Sequence, residues 1–256
     1  MLNNISYAFI LSFLAGISTI LGALIIFFDK NKSSRVVISS LSFASGVMIC
    51  VSLTDLLPNC YKMIINTNVV FPRLILTLIF MCVGIIISML IDKYLPSNYE
   101  NKSNDSKLYK IGIISMVAIV LHNIPEGIAT FITSSNNLKL GITLTLAIAL
   151  HNIPEGISIA VPIYHSTNNK LKAILFALLS GMSEVVGSII AYLFLASFMN
   201  DNIMSALYAI IAGIMIHISF YELIPGAYKE GTLKEVFKYF IIGFVIMILS
   251  HFLMSI

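Results

Sequence analysis

The chain has 256 residues, 58% of them hydrophobic and only 11% charged, with 15 Lys and Arg against 12 Asp and Glu. Soluble domains carry roughly 25% charged residues, and a mean hydropathy of +0.97 is too apolar for one water-facing core, so an ordinary soluble enzyme is excluded and a bilayer protein is implied. A net charge of +3 from scattered basic residues gives no footprint for nucleic acid.

Hydropathy predicts eight helical spans, each near the ~20 residues needed to cross a hydrocarbon core. The alternating segments of about 10 residues that mark a membrane β-barrel are absent. The first span, 5–28, follows no basic residue and reads as a retained helix, not a signal peptide. The second, 36–57, carries Asp55 shortly before Pro58, and the third covers 72–91. Cys50, Cys60 and Cys82 have no paired spacing and read as structural. Residues 92–110, with Pro96 and several Asn and Ser, read as a flexible linker. Span four, 111–133, contains LHNIPEGI at Leu121–Ile128, and span five, 140–162, contains the same eight residues at Leu150–Ile157. Span six, 171–195, contains SGMSEVVGS at Ser180–Ser188, whose small residues let a neighbouring helix approach Glu184. Span seven, 203–225, holds His217 at mid-span and Glu222 shortly before Pro225, and span eight covers 236–255. His165 and His251 belong to no motif and read as ordinary, and the dispersed methionines read as packing fillers.

Lys and Arg are retained on the cytoplasmic side of a membrane. The odd-numbered connections hold Lys30, Lys32, Arg35, Lys93, Lys102, Lys107, Lys110, Lys170, Lys172, Lys229, Lys234 and Lys238, while the even-numbered ones hold only Lys62, Arg73 and Lys139. The expected arrangement is a multi-pass protein of the cell membrane with odd connections in the cytoplasm and both termini outside. Spans four and five then run in opposite directions, so the doubled motif enters the bilayer from opposite faces. A weaker echo joins spans two and seven at an offset of 167, through Gly46 and Gly213, Met48 and Met215, Ser52 and Ser219, Asp55 and Glu222, and Pro58 and Pro225. The expected fold is an all-α polytopic membrane protein, one transporter domain over 1–256, with an inverted three-two-three repeat of the kind that places a site at the bilayer midplane.

His122, His151 and Glu184 lie about 11 to 13 residues into their spans, ~17–20 Å deep at 1.5 Å per residue. A charge there costs ~2.5–3.5 kcal/mol, and no span offers a buried Lys or Arg as counter-ion, so the compensating charge must be protons or a bound cation. His122, Asn123 and Glu126 project from one helical face by their i, i+3 and i+4 spacing, and His151, Asn152 and Glu155 repeat it. Two imidazoles and two carboxylates suit Zn²⁺, Fe²⁺, Mn²⁺ or Co²⁺, and the lack of thiolate argues against Cu⁺. Asn123, Asn152 and Glu184 are placed for a second, neighbouring site that shares the two motif glutamates. Pro125 and Pro154 leave the carbonyls of Leu121 and Leu150 unpaired inside their helices. Asp55 and Glu222 read either as entrance and exit carboxylates or as helix-ending residues beside their prolines. His217 reads either as a pathway residue or as an interhelical hydrogen-bond partner. Paired helical His and Glu motifs also build metal-dependent enzymes, so an intramembrane metalloenzyme is the alternative, although no catalytic residue can be assigned.

Together these features resemble the ZIP (Zrt/Irt-like) divalent-metal transporters over essentially the whole chain, through the eight spans, HNIPEG in spans four and five, and SGMSE in span six. The resemblance implies a transporter that takes up zinc, or iron, manganese or cobalt, into the cytoplasm without a catalytic cofactor. It further implies a binuclear centre, one site from His122, Glu126, His151 and Glu155 and the other from Asn123, Glu126, Asn152, Glu155 and Glu184. A homodimer with a moving four-helix unit is implied as well. Two departures stand out: Val185 follows Glu184 where many members have Pro, and 92–110 contains no histidine where many carry a His-rich loop.

Overall fold

A computed structural model of the chain describes residues 2–29, 32–64, 70–94, 104–195 and 201–254, and all regular structure among them is helical. In chain order the elements are α1 (Leu2–Ala23, with a 3₁₀ turn at Leu24–Phe27), α2 (Ser34–Val51, a π turn at Ser52–Leu56, then Leu57–Met63) and α3 (Val70–Tyr94). There follow α4 (Asn104–Asn136), α5 (Leu138–Thr167), and α6 (Lys170–Gly181 and Ser183–Ile190, then a π turn at Ala191–Leu195). The last two are α7 (Asp201–Ile218, a π turn at Ser219–Leu223, then Ile224–Glu230) and α8 (Leu233–Met254). Helices α1 to α7 each contain a stretch long and apolar enough to cross a membrane. The 22 residues of α8 extend ~33 Å at 1.5 Å per residue, enough for a core of ~30 Å.

Several helices outrun their hydropathic limits, because hydropathy marks the stretch that lipid solvates while the backbone ladder continues beyond it. α3 and α4 reach into the expected linker, where Lys110 pairs with Asp92 at 2.7 Å; residues 95–103 of that linker, like Lys30 and residues 196–200, lie outside the described residues. Pro58 and Pro225 do not end their helices. The N–H of Leu57 bonds the carbonyl of Ser52, and that of Ile224 bonds the carbonyl of Ser219. Each reaches back five residues, and this wider turn gives room to a proline ring that would otherwise press on the carbonyl four residues earlier. The two π turns are separated by the same offset of 167 that links spans two and seven in the sequence. Helix α6 breaks at Met182 (φ −67°, ψ −13°), two residues before Glu184.

Glycines set the closest helix crossings, since a Cβ at each would fall on the backbone of the facing helix. Between α4 and α6, Gly127 faces the carbonyl of Glu184 and Gly187 faces that of Ile124; between α5 and α1, Gly156 faces Thr19 and Gly22 faces Ile153. These are one crossing made twice. Its α4 and α5 members are 29 residues apart, and its α1 and α6 members are 165 apart. Likewise Gly46 and Gly243 bind α2 to α8 through Phe240 and Phe43, and Gly213 and Gly84 bind α7 to α3 through Met81 and Ile210. Gly16 and Gly181, also 165 apart, face each other across α1 and α6, so a residue meets its own repeat mate on the pseudo-two-fold axis. Among the described residues, these backbone crossings tie α1, α4, α5 and α6 together, or join pairs within α2, α3, α7 and α8. None joins the two sets, which meet where α2 packs on α5 and α4 on α7.

Replacing Gly127 by Ala puts a methyl group on the Glu184 carbonyl oxygen, an overpacking of the kind that costs about 1–3 kcal/mol. The expected result is a lowered thermal midpoint for Gly127→Ala in detergent micelles. A smaller change is expected for Gly226→Ala, which meets only the side-chain tips of Ile111 and Leu41.

Candidate metal centre

α4 and α5 are joined through Asn137 alone, whose side chain accepts from the N–H of Leu140 at 3.2 Å and caps α5. This tight hairpin sets the two copies of the motif against each other. His122 Nε2 lies 3.1 Å from Glu126 Oε1 and 3.3 Å from Glu155 Oε1, while His151 Nε2 lies 3.0 Å from the same Glu126 oxygen. All four side chains are buried. One donor atom each from His122, His151 and Glu155 falls within 4.8 Å of the other two, a spacing that one ion can bridge.

The asparagines occupy the flanks of this group. Asn123 Nδ2 donates to the carbonyl of Ser180 on α6 at 3.2 Å, and Asn152 Nδ2 donates to that of Ala15 on α1 at 3.0 Å. Ser180 and Ala15 are again 165 residues apart, so the pseudo-symmetry extends to individual hydrogen bonds. Asn152 Nδ2 also donates to the Glu184 carboxylate. With both amide nitrogens engaged, six buried oxygens are left without a donor: Asn123 Oδ1, Asn152 Oδ1, Glu126 Oε2, both oxygens of Glu155, and Glu184 Oε2. His122 Nε2 is near two carboxylates but aligned for a hydrogen bond with neither. No Lys or Arg is buried among the described residues. An unmet buried acceptor costs about 1–3 kcal/mol, and more when charged; protons on the carboxylates and imidazoles meet part of this demand, and a divalent cation suits the whole mixture of imidazole nitrogen, carboxylate and amide oxygen. The symmetry fails at one position, since the repeat mate of Glu184 is Thr19, whose buried Oγ1 is also without a partner.

The remaining candidates lie apart from this group. Asp55, on the π turn of α2, accepts from Asn59 Nδ2 at 2.7 Å and lines a cavity of about 70 Å³ that reaches Glu126 and His151. Glu222, on the π turn of α7, neighbours Asp92 and Lys110. His217 Nδ1 lies 2.9 Å from Ser88 Oγ on α3, and its ring stacks on Tyr221 at 4.6 Å, so its contacts join α7 to α3 and do not reach the central group. Two histidines that belong to no motif have definite roles in the structure. His165 Nε2 sits 2.6 Å from Asp29 Oδ2 with both groups buried, fastening the end of α1 to the end of α5. His251 stands in the wall of the Asp55 cavity. No local pattern marks either, because their partners are more than a hundred residues distant in the chain.

The family model described as ZIP Zinc transporter matches residues 2–110 and 98–251. The chain is 38% identical over 274 residues to the zinc transporter ZupT of Clostridium perfringens, with 97% of this chain and 96% of the relative covered. It is 36% identical over 270 residues to the zinc transporter ZupT of Chlorobium chlorochromatii, with both chains covered in full. The zinc transporter ZupT of Streptococcus mutans is 38% identical over 252 residues, covering 95% of this chain and 96% of the relative.

A ligand that binds only the folded state stabilises it by about 2.7 kcal/mol at a hundred times its dissociation constant. Zinc added to chelator-stripped protein is therefore expected to raise the thermal midpoint. The rise should vanish when Glu126→Ala and Glu155→Ala are combined, and thermal scans of both proteins with and without zinc check this.

Proposed function

The chain belongs to the ZIP zinc transporter family, and from that premise we propose that it carries Zn²⁺ across the cell membrane through the His, Asn and Glu group of α4, α5 and α6. The relatives are transporters, which sets the metalloenzyme alternative aside. The observation that carries the proposal is the set of six buried oxygens with no donor, beside two imidazoles and with no buried Lys or Arg among the described residues. Zinc here is cargo, and no catalytic cofactor is called for.

In this reading His122, Glu126, His151 and Glu155 hold one ion, and Asn123, Glu126, Asn152, Glu155 and Glu184 hold a second beside it. Amide oxygens are weak ligands, so the second site exchanges its ion readily. Fe²⁺, Mn²⁺ and Co²⁺ accept the same donors and compete. The distribution of Lys and Arg supports the Asp55 end facing outward, both termini outside and the Glu222 end toward the cytoplasm, and in the proposed uptake the ion enters at the Asp55 end. The cavity from Asp55 to Glu126 and His151 is then the outward opening, and the Lys110 to Asp92 ion pair beside Glu222 stands at the cytoplasmic end. The glycine crossings that tie α1, α4, α5 and α6 together, with none reaching the other helices among the described residues, support alternating access by movement of α1, α4, α5 and α6 against the rest, in a homodimer.

Purified protein in liposomes is expected to accumulate radioactive zinc, and Glu126→Ala combined with Glu155→Ala to reduce uptake to that of empty liposomes; uptake unchanged by the pair would overturn the proposal. Because the histidines must be neutral and the glutamates ionised to bind, lowering the external pH should raise the KM for zinc. Competition by iron, manganese and cobalt in the same assay orders the metals.

A further inference from the structure

The cavity between Asp55 and the central group contains more chemistry than one carboxylate. Its walls include Asp55 and Asn59 from α2, Tyr208 from α7 and His251 from α8, and its floor is Glu126 and His151. Its volume of about 70 Å³ holds several waters, since one water needs ~10–15 Å³ measured this way. A cation can therefore occupy it with part of its hydration shell.

The hydrogen bonds around His251 favour a tautomer. Thr54 Oγ1 lies 2.8 Å from the carbonyl oxygen of Cys50 and 3.1 Å from His251 Nδ1. A hydroxyl has one proton. With that proton donated to the Cys50 carbonyl oxygen, the hydroxyl accepts at His251, the imidazole proton is on Nδ1 and the lone pair on Nε2. Fixing the tautomer through the far nitrogen is how proteins prepare a histidine to bind metal. Asp55 is prepared in the same way. Asn59 Nδ2 donates to Oδ1 at 2.7 Å, which orients the carboxylate and leaves Oδ2 unengaged by that bond.

Resting on the transport reading above, we infer that His251 Nε2 and Asp55 form a separate capture site for a partly hydrated Zn²⁺ in this cavity, from which the ion passes to Glu126 and His151. Both capture ligands belong to the helix set of α2 and α8, and both recipients to the set of α4 and α5. The ion thus changes hands between the two sets, first bound by one nitrogen and one carboxylate and then by two of each. A site with two protein ligands holds the ion weakly enough to release it downward.

Zinc uptake into liposomes, measured against zinc concentration, tests the inference. His251→Ala is expected to raise KM about tenfold and to leave kcat within twofold, and Asp55→Asn to do the same. Combining them should add little, because either change alone dismantles the site. His251→Cys supplies another zinc ligand and should restore most of the affinity, which His251→Phe, similar in size but unable to coordinate, should not. In the His251→Cys chain, a membrane-impermeant thiol reagent added outside should label the new thiol, and zinc should protect it. An unchanged KM in His251→Ala, or equal behaviour of the Cys and Phe variants, or labelling indifferent to zinc, overturns the capture site. Failure of the unaltered protein to take up zinc would instead overturn the transport reading itself.

Discussion

Six acceptor oxygens buried where α4, α5 and α6 cross have no hydrogen-bond donor and no Lys or Arg among them, and the packing of the surrounding helices holds that cluster together. In water, such groups would be solvated and unremarked. In a hydrocarbon slab carboxylate charge is held only if something positive joins it, and here that falls to the imidazoles of His122 and His151, to protons or to a bound cation. The asparagine amides are turned so that their nitrogens serve backbone carbonyls of α1 and α6, and that of Asn152 also serves the Glu184 carboxylate, while both amide oxygens are left without a donor.

Holding like-charged carboxylates together requires helices to approach more closely than side chains usually allow. The last glycine of each HNIPEG copy provides this: Gly127 lets α4 lie on the Glu184 turn of α6, and Gly156 lets α5 lie on the Thr19 turn of α1. The motif is therefore half chemistry and half packing. Because the two crossings are equivalent, the replacement of a carboxylate by a hydroxyl at Thr19 is the asymmetry that matters most, since it gives the acidic cluster a side. Two identical halves would present equivalent environments to an ion from either direction. One with Glu184 on α6 and Thr19 on α1 does not.

Much of this was legible from residues alone, for physical reasons that differ from element to element. The grouping of His122, Asn123 and Glu126 with His151, Asn152 and Glu155 was visible because i, i+4 spacing on a helix is a local rule and because charge in a lipid-solvated segment is conspicuous. The inverted repeat was visible in the doubled octapeptide and in the echo between Gly46 and Gly213. What escaped was whatever depends on two distant segments at once. The Asp29 to His165 pair and the place of His251 beside Asp55 come from the closing of helices over one another, which hydropathy does not describe. The breaks are a middle case. Pro58 and Pro225 signalled that the α-helical ladder must fail nearby, but a helix end and a π turn both satisfy that requirement, and only the structure shows that α2 and α7 continue. Met182 gave no such signal, although its break precedes Glu184 by two residues and lets the carbonyl of Ser180 meet Asn123.

The paired π turns have a consequence for how such a protein can change over generations. Each residue of an α-helix rotates the next by about 100°, so the glycine half of α2 and its Asp55 half would ordinarily share one angular setting. The extra residue in the Ser52–Leu56 turn, and its counterpart at Ser219–Leu223, separates the two. The halves that carry Gly46 and Gly213 stay clamped against their neighbours, while the halves beyond the turns answer to a different phase. Substitutions, or the loss of a single residue within either turn, can re-aim the mouth of the molecule without disturbing the interfaces at its waist. The ends of α2 and α7 are thereby free to diverge among descendants that retain the same glycine crossings.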